Sequence, residues 1–195
     1  MSDAAPRAVD IRVGSTPDGL APIAVAERSL APGLSQWFGL GVVALCALAA
    51  DQFTKWLLVD RVELGESVKI VGPLSLTHVG NSGIAFGLFP ESAVVITVLT
   101  AALVTWMLFF FARSGALHPV LPAALGFVIG GSASNLLDRV RIGYVTDFVD
   151  FGFWPAFNLA DSFIVTGVAV LVAMLLLPDR RVARIERDAS SPSRS

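Results

Sequence analysis

The stretch Ser35–Val59, SQWFGLGVVALCALAADQFTKWLLV, decides the fold class of this chain. Its only charged residues are Asp51 and Lys55. An α-helix needs about 20 predominantly apolar residues to cross ~30 Å of hydrocarbon. Trp37 and Trp56 lie near its ends, where aromatic side chains favour the membrane interface. The stretch therefore predicts a membrane-spanning helix.

Three further apolar blocks follow, at about 92–112, 120–140 and 158–177. The whole chain is 54% apolar and 15% charged, whereas about a quarter of the residues of a soluble domain are charged. We therefore predict a membrane all-α fold with four transmembrane helices in contact with membrane lipids. A net charge of −2 does not favour a nucleic-acid partner. The sequence gives no oligomeric state and is compatible with a monomer.

Residues 60–90 differ in character from the spans. Alternating stretches at 68–71 and 74–77, separated by Gly72-Pro73, are typical of short strands and a turn. We predict a small extracytoplasmic β element between helices 1 and 2. Residues 141–157 are polar and aromatic and are interpreted as a loop between helices 3 and 4.

The two ends of the chain are polar. We predict a flexible cytoplasmic tail at 1–34, a membrane domain at 35–177 and a basic cytoplasmic tail at 178–195. The first 34 residues contain no apolar core of a signal peptide, so the first span is expected to stay as an anchor.

Basic residues set the orientation, because Lys and Arg are retained in cytoplasmic flanks. The side that holds both termini carries Arg7, Arg12, Arg28, Arg113, Arg180, Arg181, Arg184, Arg187 and Arg194. The other side carries Lys55, Arg61, Lys69, Arg139 and Arg141. The excess predicts a multi-pass protein with both termini in the cytoplasm.

Polar residues at the ends of the spans gather at one depth. A charge at the centre of a membrane helix costs about 2.5–3.5 kcal/mol on insertion scales, so such residues require a reason. With this topology they all lie toward the outer face of the membrane: Asp51, Lys55, Asn135, Asp138, Arg139, Asn158 and Asp161. Together they indicate a site near the outer leaflet.

Some of these residues have partners within one helix. Asp51 and Lys55 are four residues apart on one helix face, which favours an ion pair with a structural role. Asn135, Asp138 and Arg139 also share a face. Arg139 could donate to Asp138 or to a substrate carbonyl, and we interpret this group as positioning rather than reacting.

Two acids lack an obvious basic partner, Asp147 and Asp161. Two carboxylates in one site do not both ionise easily, so one keeps a proton while the other activates water. Such a pair could hydrolyse a peptide bond. Asp150 lies three residues after Asp147, and spacing alone does not separate these two candidates.

Other hydrolytic chemistries lack their motifs. The chain contains neither Gly-x-Ser-x-Gly nor His-Glu-x-x-His, and Cys46 is its only cysteine. Two non-hydrolytic alternatives remain open. One is a small transporter or proton relay that uses intramembrane carboxylates. The other is a scaffold that binds a partner through the outer loop.

Five motifs, in order along the chain, resemble the signature blocks of the bacterial lipoprotein signal peptidases (signal peptidase II). They are Asp51-Gln-Phe-Thr-Lys55, Asn81-Ser-Gly83-Ile-Ala-Phe86, Gly130-Gly-Ser-Ala-Ser-Asn135-Leu-Leu-Asp138-Arg139, Val145-Thr-Asp147-Phe148 and Phe157-Asn158-Leu-Ala-Asp161-Ser162. The resemblance covers about residues 36–177. This chain differs from it slightly, with Thr146 where the family often has Val, a shortish loop between the aspartates and a long N-terminal tail.

The resemblance implies an aspartic endopeptidase of the bacterial inner membrane. Its substrates would be prolipoproteins carrying a diacylglyceryl-modified cysteine, cut just before that cysteine, and it would need no metal or organic cofactor. The resemblance assigns the catalytic pair to Asp147 and Asp161, and thereby favours Asp147 over Asp150. It gives structural or substrate-positioning roles to Asp51, Lys55, Asn81, Gly83, Asn135, Asp138, Arg139 and Asn158.

Overall fold

The structure, a computed structural model, describes residues 31–83, 93–114 and 118–177. Its elements, in chain order, are α1 (Leu34–Val59), β1 (Ser67–Val71), β2 (Leu74–Asn81), α2 (Ala93–Ser114), α3 (Leu121–Ile142), β3 (Val145–Asp150) and α4 (Leu159–Leu176). The four helices match the predicted spans to within two residues at each end. Both predicted tails lie largely outside the described residues, as do Ile84 to Phe86 of the second motif.

Three of the described helices are long and apolar enough to cross a membrane: Leu34–Val59, Val94–Arg113 and Leu159–Leu176. This criterion uses length and composition alone. The helix α3 does not meet it. The physical reason is its central position, because α3 packs against α1, α2 and α4 and buries small and polar residues that a lipid-facing helix would avoid.

Glycines allow the backbones of these helices to approach closely. A Cβ added to Gly130 would lie 2.4 Å from the carbonyl oxygen of Ala44 in α1. A Cβ added to Gly131 would lie 2.5 Å from the carbonyl oxygen of Ala160 in α4. Both distances are below van der Waals contact, so α3 is held tightly between α1 and α4.

The strands form one antiparallel sheet in the order β1-β2-β3. The predicted β element supplies β1 and β2, but β3 comes from the connection between α3 and α4, for which the sequence predicts a loop. The run Val145-Thr146-Asp147-Phe148-Val149 is mostly β-branched or aromatic and pairs with β2. This pairing attaches the α3–α4 connection to the sheet.

Two apolar clusters lie at different levels of the molecule. The larger one, within the helices, consists of Leu40, Met107, Phe111, Leu121, Leu125, Val128 and Ile129. The smaller one, Leu58, Val62 and Phe148, joins the end of α1 to β3. The polar residues predicted to form a site lie between the helices and the sheet.

Candidate active site

Asp161 is fixed by the first turn of α4. Asn158 is the N-cap residue, and its side chain accepts a hydrogen bond from the backbone N–H of Asp161 at 2.9 Å. In return, the Asp161 Oδ2 accepts one from the backbone N–H of Asn158 at 3.2 Å. This reciprocal capping box places the carboxylate at the positive end of the helix dipole.

Asp147 is fixed by the sheet. It is paired with Val79 of β2, and Asn81 lies two residues further along that strand. Alternate residues of a strand face the same side, so Asn81 and Asp147 are diagonal neighbours, and the Asn81 Nδ2 donates to the Asp147 Oδ2 at 2.8 Å. The Asn81 Oδ1 accepts from the backbone N–H of Gly83 at 3.0 Å, which fixes the orientation of the amide.

Asn158 joins the two carboxyl groups. Its Nδ2 donates to the Asp147 Oδ1 at 2.7 Å, while its backbone N–H donates to the Asp161 Oδ2. Asn135 of α3 adds a second bond to Asp161, from its Nδ2 to the Oδ1 at 2.9 Å. A strand residue and a helix residue, 14 positions apart in sequence, are thus brought to one site.

Lys55 forms the neighbouring part of the network. Its Nζ lies 2.7 Å from the Asp51 Oδ2 and 2.7 Å from the Asp138 Oδ2. It also donates to the Asn135 Oδ1 at 3.0 Å. All three donors of the ammonium group are therefore used. The ion pair between Asp51 and Lys55 is present as expected, and Asp138 extends it into a buried triad.

Arg139 does not pair with Asp138. Among the described contacts, Asp138 is bonded to Lys55, to the Gln52 Nε2 at 2.7 Å and to the backbone N–H of Thr146 at 3.3 Å. The Arg139 Nη1 donates to the backbone oxygen of Asn135 at 3.5 Å, and its buried Nε has no described partner. The sequence suggested Asp138 or a substrate carbonyl as the partner of Arg139, and Asp138 is bonded to other groups.

Asp150 occupies a different environment from Asp147. Residues three apart on a strand face opposite sides of a sheet. The Asp150 carboxylate accepts hydrogen bonds from the Thr77 hydroxyl at 3.2 Å and the backbone N–H of Gly152 at 2.7 Å. This acid is part of the sheet edge and is absent from the lining of the cavity beside Asp147 and Asp161.

Burial raises the pKa of Asp147 from its ordinary value of 3.8 to about 6. Hydrogen bonds from Asn81 and Asn158 and the charge of Lys55 act in the opposite direction, because they favour the ionised form. The negative charge of Asp161 adds to the increase. This carboxyl group can therefore hold or release a proton near neutral pH.

A cavity of about 1040 Å³ opens onto both carboxyl groups. Its polar wall includes Asn81, Asn135, Arg139, Asp147 and Asp161. Its apolar wall comes from α2, β3, α4 and the connection between β3 and α4, and includes Ile96, Val145, Trp154, Phe157 and Val165. Within 31–83, 93–114 and 118–177, no three His, Cys, Asp or Glu side chains are grouped so as to hold a metal ion.

Two side chains in the network were missed by the sequence analysis. Ser134 donates from its hydroxyl to the Asp51 Oδ2 at 2.7 Å. Gln52 donates to the Ser134 Oγ at 3.0 Å and to Asp138. The sequence analysis assigns Ser134 no role of its own. The signal for Gln52 was available, since it is a polar residue next to Asp51 within an apolar helix.

Comparison with known proteins identifies the family. A family model described as Signal peptidase (SPase) II matches residues 43–177. The lipoprotein signal peptidase of Halothermothrix orenii is 36% identical over 135 residues, covering 69% of this chain and 92% of that protein. The enzyme of Pelotomaculum thermopropionicum is 38% identical over 149 residues, covering 76% of this chain and 98% of that protein.

Solved structures agree with the sequence relatives. A structure described as a bacterial membrane enzyme superposes with a TM-score of 0.65 at 26% identity, covering 79% of this chain and 91% of that one. These matches favour a peptidase over the transporter and scaffold alternatives. The chain belongs to the signal peptidase II family, the lipoprotein signal peptidases, which are membrane aspartic peptidases that process prolipoproteins.

Proposed function

We propose that this peptidase cleaves diacylglyceryl-modified prolipoproteins just before the lipid-bearing cysteine, with Asp147 and Asp161 as the catalytic pair. The observation that carries this assignment is a pair of hydrogen bonds from Asn158. Its side-chain amide donates to Asp147 and its backbone N–H donates to Asp161, so both carboxyl groups are held at the wall of one cavity. Among the described residues, Asp147 and Asp161 are the only acids that line this cavity.

The chemistry follows from one proton shared between two carboxyl groups. The ionised member takes a proton from a water molecule, whose oxygen attacks the scissile carbonyl carbon. The protonated member donates to the carbonyl oxygen, giving a neutral tetrahedral intermediate. Proton transfer to the amide nitrogen then lets the C–N bond break. The raised pKa of Asp147 allows it to take part in these transfers near neutral pH.

Arg139 offers unused hydrogen-bonding capacity at the wall of this cavity. Its Nε has no described partner, although the atom is buried and the guanidinium lies at the wall that carries Asp147 and Asp161. An unpaired buried donor is costly, so a hydrogen-bond acceptor of the substrate would be stabilised there. We assign it to a backbone carbonyl of the bound signal peptide, where it orients the substrate.

The membrane placement follows from the same residues. We infer that α3 is the fourth span, surrounded by the three helices that meet the length and hydropathy criterion. The excess of basic residues supports an orientation with both termini in the cytoplasm and the site near the outer leaflet of the bacterial inner membrane. The apolar wall of the cavity would then accept the lipid-modified part of the substrate.

The test compares three Asp→Asn variants of the purified full chain in lipid. With a diacylglyceryl-modified prolipoprotein as substrate, Asp147→Asn and Asp161→Asn each lose activity by a factor of about 10³ or more, because each removes a proton-transfer group. Asp150→Asn is the matched control and retains most of the activity. Normal processing by either of the first two variants would remove the assignment of the pair. Equal cleavage of unmodified precursor would contradict the substrate class.

A further inference from the structure

We propose that Ser134 is a positioning residue, which holds Asp161 in place through Asp51 and the first turn of α4. The proposal rests on the assignment of Asp161 to the catalytic pair. Neither Ser134 nor Asp51 lines the cavity, so both act at one remove from the substrate.

The first step is the contact between Asp51 and α4. The Asp51 Oδ1 accepts a hydrogen bond from the backbone N–H of Ala160 at 2.8 Å. That N–H is one of the first-turn donors that have no partner within their own helix. A carboxylate of α1 therefore caps the helix that carries Asp161, one residue before Asp161 itself.

The second step is the close fit of Ala160 on its other side. Ala160 is fully buried, and its carbonyl oxygen lies against Gly131 of α3, where a Cβ would be only 2.5 Å away. The peptide groups on the two sides of Ala160 are thus fixed by α1 and α3. A small change in the Asp51 carboxylate would be transmitted directly to Asp161.

The third step is the orientation of the Asp51 carboxylate. Its Oδ2 accepts from Ser134 at 2.7 Å and lies 2.7 Å from the Lys55 Nζ. Asp51 and Ser134 are both 0% exposed, so water cannot replace a lost bond. Lys55 is shared with Asp138 and Asn135, and Ser134 is the donor that ties Asp51 specifically to α3. Gln52 in turn donates to the Ser134 Oγ and fixes the hydroxyl proton toward Asp51.

Ser134→Ala removes this donor without adding volume. Misplacement of a catalytic group lowers the rate of the chemical step more than it weakens binding. We expect kcat to fall about tenfold with KM nearly unchanged, the effect of losing a hydrogen bond to a buried charge. Ser132→Ala is the matched control, because Ser132 is also buried in α3 and its hydroxyl makes no described hydrogen bond. It should leave kcat unchanged.

Hydrogen exchange of the Ala160 amide measures the contact directly. In full-chain protein in lipid, Ser134→Ala should speed this exchange about tenfold, while amides in the middle of α3 exchange as before. Ser134→Cys retains a weak donor, so its Ala160 exchange rate should lie between those of wild type and Ser134→Ala. It serves as the second variant if the alanine variant folds poorly.

The outcomes separate this proposal from the assignment of the catalytic pair. Wild-type kcat and unchanged Ala160 exchange in Ser134→Ala would overturn the positioning role. So would a loss shared equally by Ser132→Ala, or one confined to KM. If Asp161→Asn were active while Ala160 exchange still rose in Ser134→Ala, the contact would stand and the catalytic assignment would fall.

Discussion

Two pairs of acids occupy one hydrogen-bond network and differ in what surrounds them. Asp51 and Asp138 share the ammonium group of Lys55. Asp147 and Asp161 receive hydrogen bonds from neutral amides, of Asn81, Asn135 and Asn158. A cation in contact with a carboxylate strongly favours the ionised form, whereas an amide donor favours it only moderately. The first pair is therefore held by a cation, whereas the second pair is held by neutral donors at the wall of the cavity.

Asn135 is the joint between the two pairs. Its Oδ1 accepts from Lys55 and from the Asn158 Nδ2, and its Nδ2 donates to Asp161. The amide thus keeps the cation out of direct contact with the proposed catalytic pair while tying the two pairs together. We expect substitutions that disturb Asp51, Asp138 or their shared Lys55 to affect mainly stability. Substitutions at Asp147 and Asp161 should affect mainly activity.

The largest effect is expected for Lys55→Met. The change leaves two buried carboxylates without a cation, and breaking a buried pair in this way costs about 3–5 kcal/mol. The melting temperature in lipid should fall steeply. Lys69→Met is the control, because Lys69 lies on the exposed strand β1 and its loss should be close to neutral.

A triple variant sharpens this test. Lys55→Met combined with Asp51→Asn and Asp138→Asn removes all three charges of the triad together. It should recover part of the lost melting temperature, since no buried ion is then left unpaired. If Lys55→Met alone were as stable as wild type, the distinction between the two pairs would not hold.

For Asp147, ionisation should lower the stability of the folded protein. Its folded-state pKa of about 6 is above the ordinary value of 3.8, so its stabilising contribution is present at low pH and lost as the pH rises through about 6. Asp147→Asn does not titrate. The melting temperature of this variant, relative to wild type, should therefore increase between pH 4 and pH 8, by about 2–4 °C for each kcal/mol recovered. A constant difference across this range would contradict the raised pKa.

A smaller effect concerns the pH profile of the reaction. The pair needs one proton, so kcat/KM of the wild type should decline as the pH rises above about 6. The two carboxyl groups titrate together, so this decline of kcat/KM at high pH reports the pair and not one residue. Asn81→Ala removes a donor that favours the ionised form of Asp147. In Asn81→Ala the decline of kcat/KM should therefore begin at a higher pH. In Ser82→Ala it should begin at the same pH as in wild type.

Much of this arrangement follows from the sequence, for identifiable reasons. The apolar blocks predicted four helices because a membrane span requires an apolar run of fixed length. The spacing of Asp51 and Lys55 predicted their ion pair because residues four apart share one face of a helix. Asn158 and Asp161 also have the spacing of a capping box, a signal that the sequence analysis did not use.

The remainder depends on tertiary contacts. The sequence predicts a loop in place of β3, because the pairing of β3 with β2 joins segments about 70 residues apart. For the same reason, spacing alone could not separate Asp147 from Asp150, whose difference lies in which face of the sheet each one occupies. Ser134 gave no signal at all, since a serine among glycines in a membrane helix is consistent with simple packing.

The smallest effect is expected at Asp150, which belongs to neither pair. Asp150 lies at the sheet edge, where Thr77 donates to it and in turn bonds Ser67 across the β1–β2 pair at 2.8 Å. Thr77→Val removes that donor, but water can reach this half-buried position, so the free energy of unfolding should change by about 0.5 kcal/mol or less. Processing activity and its pH profile should match those of wild type. A large loss of activity in Thr77→Val would place Asp150 in the reaction and would reopen the choice between Asp147 and Asp150.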